Sequence, residues 1–194
     1  MSNQGSLPGL EPAQPTDRLF LAVFPDPPHA ARLAALAGDF LARHRLGAGA
    51  VEAMRLHVTL FHLGDYAGLP PGLADRAAGA LAGVKAEPFA IRFDRVGSFG
   101  NRRARSPLVF AAEAGNAALH ALHAQLADRL RSCGLNRCTG GSFVPHMTVA
   151  YGKATMPFEA IAPVEWPAGE VLLVHSLLGR TRHIRLAGRR LGVR

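Results

Sequence analysis

Alternation and helical spacing divide the chain into a succession of short elements. Residues 18–24 (RLFLAVF) are apolar and aromatic-rich and predict a strand. Pro25 to Pro28 interrupt it, and Pro27 or Pro28 suits the first turn of a helix. Beyond them Leu33, Leu36, Ala37, Phe40 and Leu41 recur at three- and four-residue intervals, which is one buried helical stripe. Residues 55–63 (RLHVTLFHL) have the period of a strand, with His57, Thr59 and Phe61 on one face and Val58, Leu60 and His62 on the other. An Ala-rich helix follows Pro70 and Pro71 and runs to about Val84. Residues 88–96 and 107–112 read as strands joined by a loop rich in Gly, Ser and Arg. Leu119, Leu122, Leu126 and Leu130 mark an amphipathic helix over 117–130, with Gly134 as its terminator. Strands over 146–151, 170–178 and 184–186 complete the pattern. Several strands follow one another without a crossover helix, so the fold class is α+β rather than a doubly wound parallel sheet.

Composition narrows the setting. With 194 residues, 48% of them hydrophobic and 19% charged, the chain can build one large domain or two small lobes, and it is not a disordered composition. No apolar run approaches the roughly 18–20 residues of a membrane-spanning helix. Residues 1–16 contain Pro8, Pro12 and Pro15 but no Lys or Arg, so they read as a flexible leader rather than a secretory signal. A single domain over 17–194 follows. Cys133 and Cys138 form neither a redox pair nor half of a zinc site, which fits reduced thiols in a cytoplasmic protein. Lys and Arg total 22 against 14 Asp and Glu, and the net charge of +8 favours an anionic partner.

The chemistry lies in a repeat. Residues 57–60 read His-Val-Thr-Leu and residues 146–149 read His-Met-Thr-Val, nearly half the chain apart. Both lie in strand-like runs, where residues i and i+2 share a face, so each motif presents an imidazole beside a hydroxyl. Brought together from two lobes, two such units suit phosphodiester chemistry near neutral pH. One imidazole takes a proton from the attacking oxygen, and the other gives one to the departing oxygen. The threonine hydroxyls donate to non-bridging phosphate oxygens. This division of labour needs no metal and no cofactor. His120 and His123, at i and i+3 on a helix, lack the carboxylate or Cys that would complete a metal site. His29, His44 and His175 have no evident partner, and His62 faces away from His57.

The paired motifs, the opening RLFLAVF strand and the Ser-Phe-Val-Pro-His-Met-Thr-Val context resemble the 2H phosphoesterase superfamily, within it the RNA 2′,3′-cyclic phosphodiesterases also called 2′-5′ RNA ligase-like proteins. The resemblance runs from Arg18 to the C-terminus. It implies a bilobal fold of two β-α-β-β-type lobes related by a pseudo-twofold axis, with antiparallel sheets lining a central cleft and helices outside. It further implies metal-independent hydrolysis of RNA or nucleoside 2′,3′-cyclic phosphates to the 2′-phosphate, with reverse 2′-5′ ligation as a related capacity. The partners are RNA ends or nucleotides, the protein a monomer. Carried over by position, His57 and Thr59 form the first motif and His146 and Thr148 the second, with His57 as proton donor and His146 as proton acceptor. Phe143 matches an aromatic lying near the base in relatives, and basic residues in the family's loop draw attention to Arg102, Arg103 and Arg105 as phosphate contacts.

The chain also departs from the family pattern. Relatives carry Pro-Glu-Asn or similar before the first motif, where this chain has Glu52-Ala53-Met54-Arg55. Lys153 or Tyr151 stands in for the basic residue after the second motif, the first as a cation and the second as a stacking platform. His183 occupies the place of a C-terminal Tyr, and Arg180 and Arg182 share a strand face that can line the cleft. A contrasting reading is an RNA- or nucleotide-binding module with vestigial catalysis.

Overall fold

The computed structural model describes residues 13–99, 106–153 and 155–193. The expected leader falls largely in residues 1–12, outside the described residues, and the first strand begins at Asp17. In chain order the elements are β1 (Asp17–Val23), α1 (Pro27–Arg43), β2 (Gly49–Ala50), β3 (Val58–Tyr66), α2 (Leu73–Ala82), β4 (Phe89–Ser98), β5 (Ser106–Ala111), α3 (Ala117–Ser132), β6 (His146–Gly152), β7 (Glu159–Ala168), β8 (Glu170–Leu177) and β9 (Arg182–Arg190). The α+β class holds. Strand β7 has no counterpart in the periodicity reading, because its inward positions mix Val164 and Trp166 with Pro and Glu neighbours that blur the alternation.

Local chemistry sets the boundaries. The Asp26 carboxylate accepts the His29 backbone N–H and caps α1, with proline at the first helical position. Gly134, at φ 75°, follows the last turn of α3, and the Leu135 N–H returns to the Leu130 carbonyl.

All the strands join one antiparallel sheet in the order β7-β4-β5-β6-β3-β1-β8-β9, with β2 added alongside β6. It divides into two four-stranded halves, β3-β1-β8-β9 and β6-β5-β4-β7, in which β1-α1-β3 and β5-α3-β6 occupy matching places. The lobes are therefore not the two halves of the chain: β8 and β9 return from the C-terminal end to flank β1. Among the described residues a single β3–β6 pairing, Val58 with Met147, joins the halves, and these are the middle residues of the two His-x-Thr motifs.

The two sheet faces differ. Leu19, Leu21, Val58, Leu60, Met147 and Val149 pack with the buried stripes of the helices in the main core. Burial of this kind stabilises by about 25 cal/mol per Å² of apolar surface removed from water. On the other face Phe20, Ala22, Leu172 and Val174 form a small apolar cluster with Phe24. The cleft lies on this second face.

Candidate active site

Register does most of the construction. Val58 pairs with Met147 in antiparallel sense, so one step either way sets His57 beside Thr148 and Thr59 beside His146. The two apolar middle residues are completely buried, which turns both imidazoles and both hydroxyls towards the opposite face. They line one cleft of about 490 Å³ with Arg18, Phe20, Arg55, His62, Tyr151, His183 and the β8–β9 turn.

Each strand then breaks its alternation at the same place. In β3 the register with β1 skips Leu60, and in β6 the register with β5 skips Val149. Both segments show the same burial sequence, from Val58 to His62 and from Met147 to Tyr151. A one-residue bulge adds a core-facing side chain and hands the following position back to the cleft. His62 and Tyr151 occupy these returned positions, three residues after Thr59 and Thr148. The expectation that His62 faces away from His57 is thus corrected. A strict period of two cannot register a bulge.

The two imidazoles are held alike. His57 Nδ1 lies 2.6 Å from the Arg55 carbonyl oxygen and His146 Nδ1 lies 2.8 Å from the Val144 carbonyl oxygen. A carbonyl only accepts, so each Nδ1 carries the proton and donates it, leaving Nε2 for chemistry in the cleft. Their surroundings differ. His57 stacks on Phe20 (4.9 Å, 24°) and Phe24 (5.1 Å, 29°), with His183 edge-on at 5.6 Å. This enclosure strips water from the ring and pushes its pKa down to about 4, outweighing the bond to the Arg55 carbonyl that favours the cation; His183, Arg55 and His146 push the same way. Phe99 lies edge-on to His146 at 5.1 Å.

The remaining expected site residues separate. Tyr151 lines the cleft, but Lys153 lies beyond it, beside Leu46, Ala48 and Ser106 near β2. Phe143 also lies elsewhere: its ring stacks on His123 (4.1 Å, 1°), which stacks in turn on Phe61 (4.2 Å, 11°). That three-ring stack accounts for His123 as a packing residue. Arg102, Arg103 and Arg105 fall outside the described residues. Neither Arg180 nor Arg182 lines the cleft. The turn places Gly179 and Thr181 there, Thr181 at φ 49°, and β9 then presents His183.

Sequence reasoning overlooked several cleft residues. Arg18 makes a two-pronged pair with Asp65 (both contacts 2.7 Å), and Asp65 also meets His62 Nε2 at 2.8 Å. This is a bidentate fork that engages the guanidinium through Nε and one terminal nitrogen. It lowers the Asp65 pKa to about 2, chiefly through the Arg18 hydrogen bonds. Arg55 had appeared only as a departure from the family pattern. The other histidines find carboxylates distant in sequence: His44 with Glu159 at 3.2 Å and His175 with Asp17 at 2.5 Å; His29 pairs with its neighbour Asp26 at 2.6 Å. No group of three His, Cys, Asp or Glu side chains among the described residues is placed to hold a metal ion.

Comparison with known proteins agrees with this frame. The family model described as the 2′-5′ RNA ligase superfamily matches residues 25–178. The structure of TT0787 of Thermus thermophilus superposes with a TM-score of 0.67 at 26% identity, covering 89% of this chain and 97% of that one. Apo LigT from E. coli superposes with a TM-score of 0.69 at 20% identity, covering 92% and 99%. A search of curated proteins finds no match in sequence. With its match over most of its length and two His-x-Thr motifs abutting at one seam, the chain belongs to the 2′-5′ RNA ligase superfamily, the 2H phosphoesterases that its motifs resemble.

Proposed function

We propose that the protein is a metal-independent phosphodiesterase that opens the 2′,3′-cyclic phosphate of an RNA end or nucleoside to the 2′-phosphate. The observation that carries this reading is the pairing of Val58 with Met147, which sets both His-x-Thr units around one cleft. His146 Nε2 takes a proton from a water molecule as its oxygen attacks phosphorus. The bond from phosphorus to the 3′ oxygen breaks, and His57 Nε2 supplies the proton that makes it a hydroxyl. Thr59 and Thr148 donate to the non-bridging oxygens as negative charge gathers there. E. coli LigT has been crystallised with 3′-AMP and with phosphate, so a protein of this fold binds such ligands.

Adenosine 2′,3′-cyclic monophosphate given to the pure protein in EDTA is expected to yield the 2′-phosphate. A 3′-phosphate product, or activity that vanishes on chelation, overturns the mechanism. Binding of RNA without turnover of any cyclic ester would select the binding-module reading instead.

The donor role of His57 carries a pH signature. In the free protein burial keeps its ring neutral down to about pH 4. A bound phosphodiester monoanion supplies the missing countercharge and raises the ring's proton affinity. The pKa that His57 imposes on kcat is therefore expected to lie above the one it imposes on kcat/KM, which reports the free enzyme. Full pH–rate profiles measure both. Coincident values would show that substrate does not recharge the ring.

A further inference from the structure

Among the described residues, two side-chain nitrogen atoms of the cleft's lining are buried without a hydrogen-bond partner: Arg55 Nε and His183 Nδ1. Both side chains line the same cleft as His57, and neither belongs to a His-x-Thr motif. Orphaned buried polar atoms of this kind are uncommon, because each forfeits its hydrogen bonds to water with nothing in return. Here the two lie close enough that the Arg55 charge opposes protonation of His183, whose pKa burial has already pushed down to about 4.

The charge balance points to an anion. Arg18 has its fork filled by Asp65, but none of the described carboxylates forms an ion pair with Arg55. A guanidinium beside a half-buried imidazole, with no negative group between them, is complete only when one arrives.

The position of this pair sets it apart from the scissile phosphate. The phosphorus to be attacked sits at the β3–β6 seam, where the two hydroxyls and His57 supply donors and His146 supplies the base. His183 belongs to β9, three strands from β3 in the sheet, and reaches the edge of the His57 and Phe20 rings (5.6 and 5.4 Å) from that side. The main chain of Arg55 lies behind His57, its carbonyl accepting from Nδ1, the nitrogen opposite the reactive one.

We propose that Arg55 and His183 bind a second phosphate group, carried on the 5′ oxygen of the nucleoside whose cyclic phosphate is opened. The preferred substrate is then a 5′-phosphorylated or chain-internal nucleotide end, not a bare nucleoside 2′,3′-cyclic phosphate. This rests on the reaction proposed above. The chemistry is the same whether the second phosphate is a terminal 5′-monoester or the diester of an RNA chain.

Calorimetric titration of the full chain tests this without requiring turnover. The probes are adenosine 2′-monophosphate, adenosine 2′,5′-bisphosphate, and a dinucleotide ending in a 2′-phosphate. The bisphosphate is expected to bind at least about tenfold tighter than the monophosphate, the worth of one charge-assisted hydrogen bond. Arg55→Ala and His183→Asn should each erase most of that preference, and Arg55→Lys, which keeps charge but not the fork, should restore part of it. A gain shared by the dinucleotide identifies the RNA diester as the source. A gain confined to the bisphosphate identifies the terminal 5′-phosphate. Equal affinity of the wild-type protein for mono- and bisphosphate overturns the proposal. So does a loss in Arg55→Ala that is the same for both ligands, since the guanidinium would then serve the 2′-phosphate itself. Selectivity that persists in a protein inactive on every cyclic ester would overturn the catalytic reading and uphold this one.

Discussion

His146→Ala is expected to lower turnover of a 2′,3′-cyclic phosphate by about two to four orders of magnitude, the usual worth of a positioned general acid or base. His57→Ala should fall in the same range. The two losses should not multiply in the double variant, because an acid and a base serving one transition state act as a unit. The His146 substitution is the cleaner test. Its ring touches Phe99 by an edge and is anchored through a single backbone carbonyl, so little packing is lost with it. His57 is stacked on two phenylalanines, and its removal opens a hole. His57→Gln, which retains volume and a hydrogen-bonding amide, separates lost packing from lost proton transfer. Steady-state rates with adenosine 2′,3′-cyclic monophosphate, read alongside melting temperatures, decide the matter. A near-normal rate in a folded variant removes that histidine from the chemistry.

Stability of the wild-type protein is expected to drop as pH falls from about 6.5 towards 4, and His57→Phe should abolish much of the drop. In the unfolded chain an imidazole takes up its proton near 6.5, whereas the folded His57 resists until about pH 4. Between these values the unfolded state binds more protons, so stability rises with pH across that window and falls on acidification. At 1.36 kcal/mol per pH unit the full difference approaches about 3 kcal/mol, a large part of a typical domain's stability. His183 adds in the same direction, damped by its contact with solvent. Phenylalanine keeps the stack with Phe20 and Phe24 but has nothing to protonate. Urea midpoints at pH 7 and pH 4.5 measure the effect. A slope unchanged in His57→Phe would place the acid sensitivity elsewhere.

Much of the architecture is visible in residue pattern because it is local. The stripe of Leu33, Ala37, Phe40 and Leu41 is buried as its spacing requires, and so is that of Leu119, Leu122, Leu126 and Leu130. The two His-x-Thr segments form strands because an apolar residue lies between two polar ones, and that apolar residue is fully buried in both. What the pattern misses is non-local. His62 joins the cleft because β3 bulges against β1, a property of the pairing and not of β3 alone. Phe143 lies outside the cleft, its ring stacked on His123 of α3, a contact between residues far apart along the chain.

Residue spacing alone is enough to specify two imidazole–hydroxyl pairs on strand faces, since side-chain direction along a strand follows from backbone geometry within a few residues. It is also enough to favour an anionic partner, since net charge is a sum over the chain. That the two pairs meet edge to edge at Val58 and Met147, that Arg18 is already engaged while Arg55 is not, and that His183 leans on His57 from the far edge of the sheet, all depend on folding. Those relations hold between residues brought together by long-range strand pairing, whose register is set by burial of one face and by bulges. No short window of sequence contains both partners.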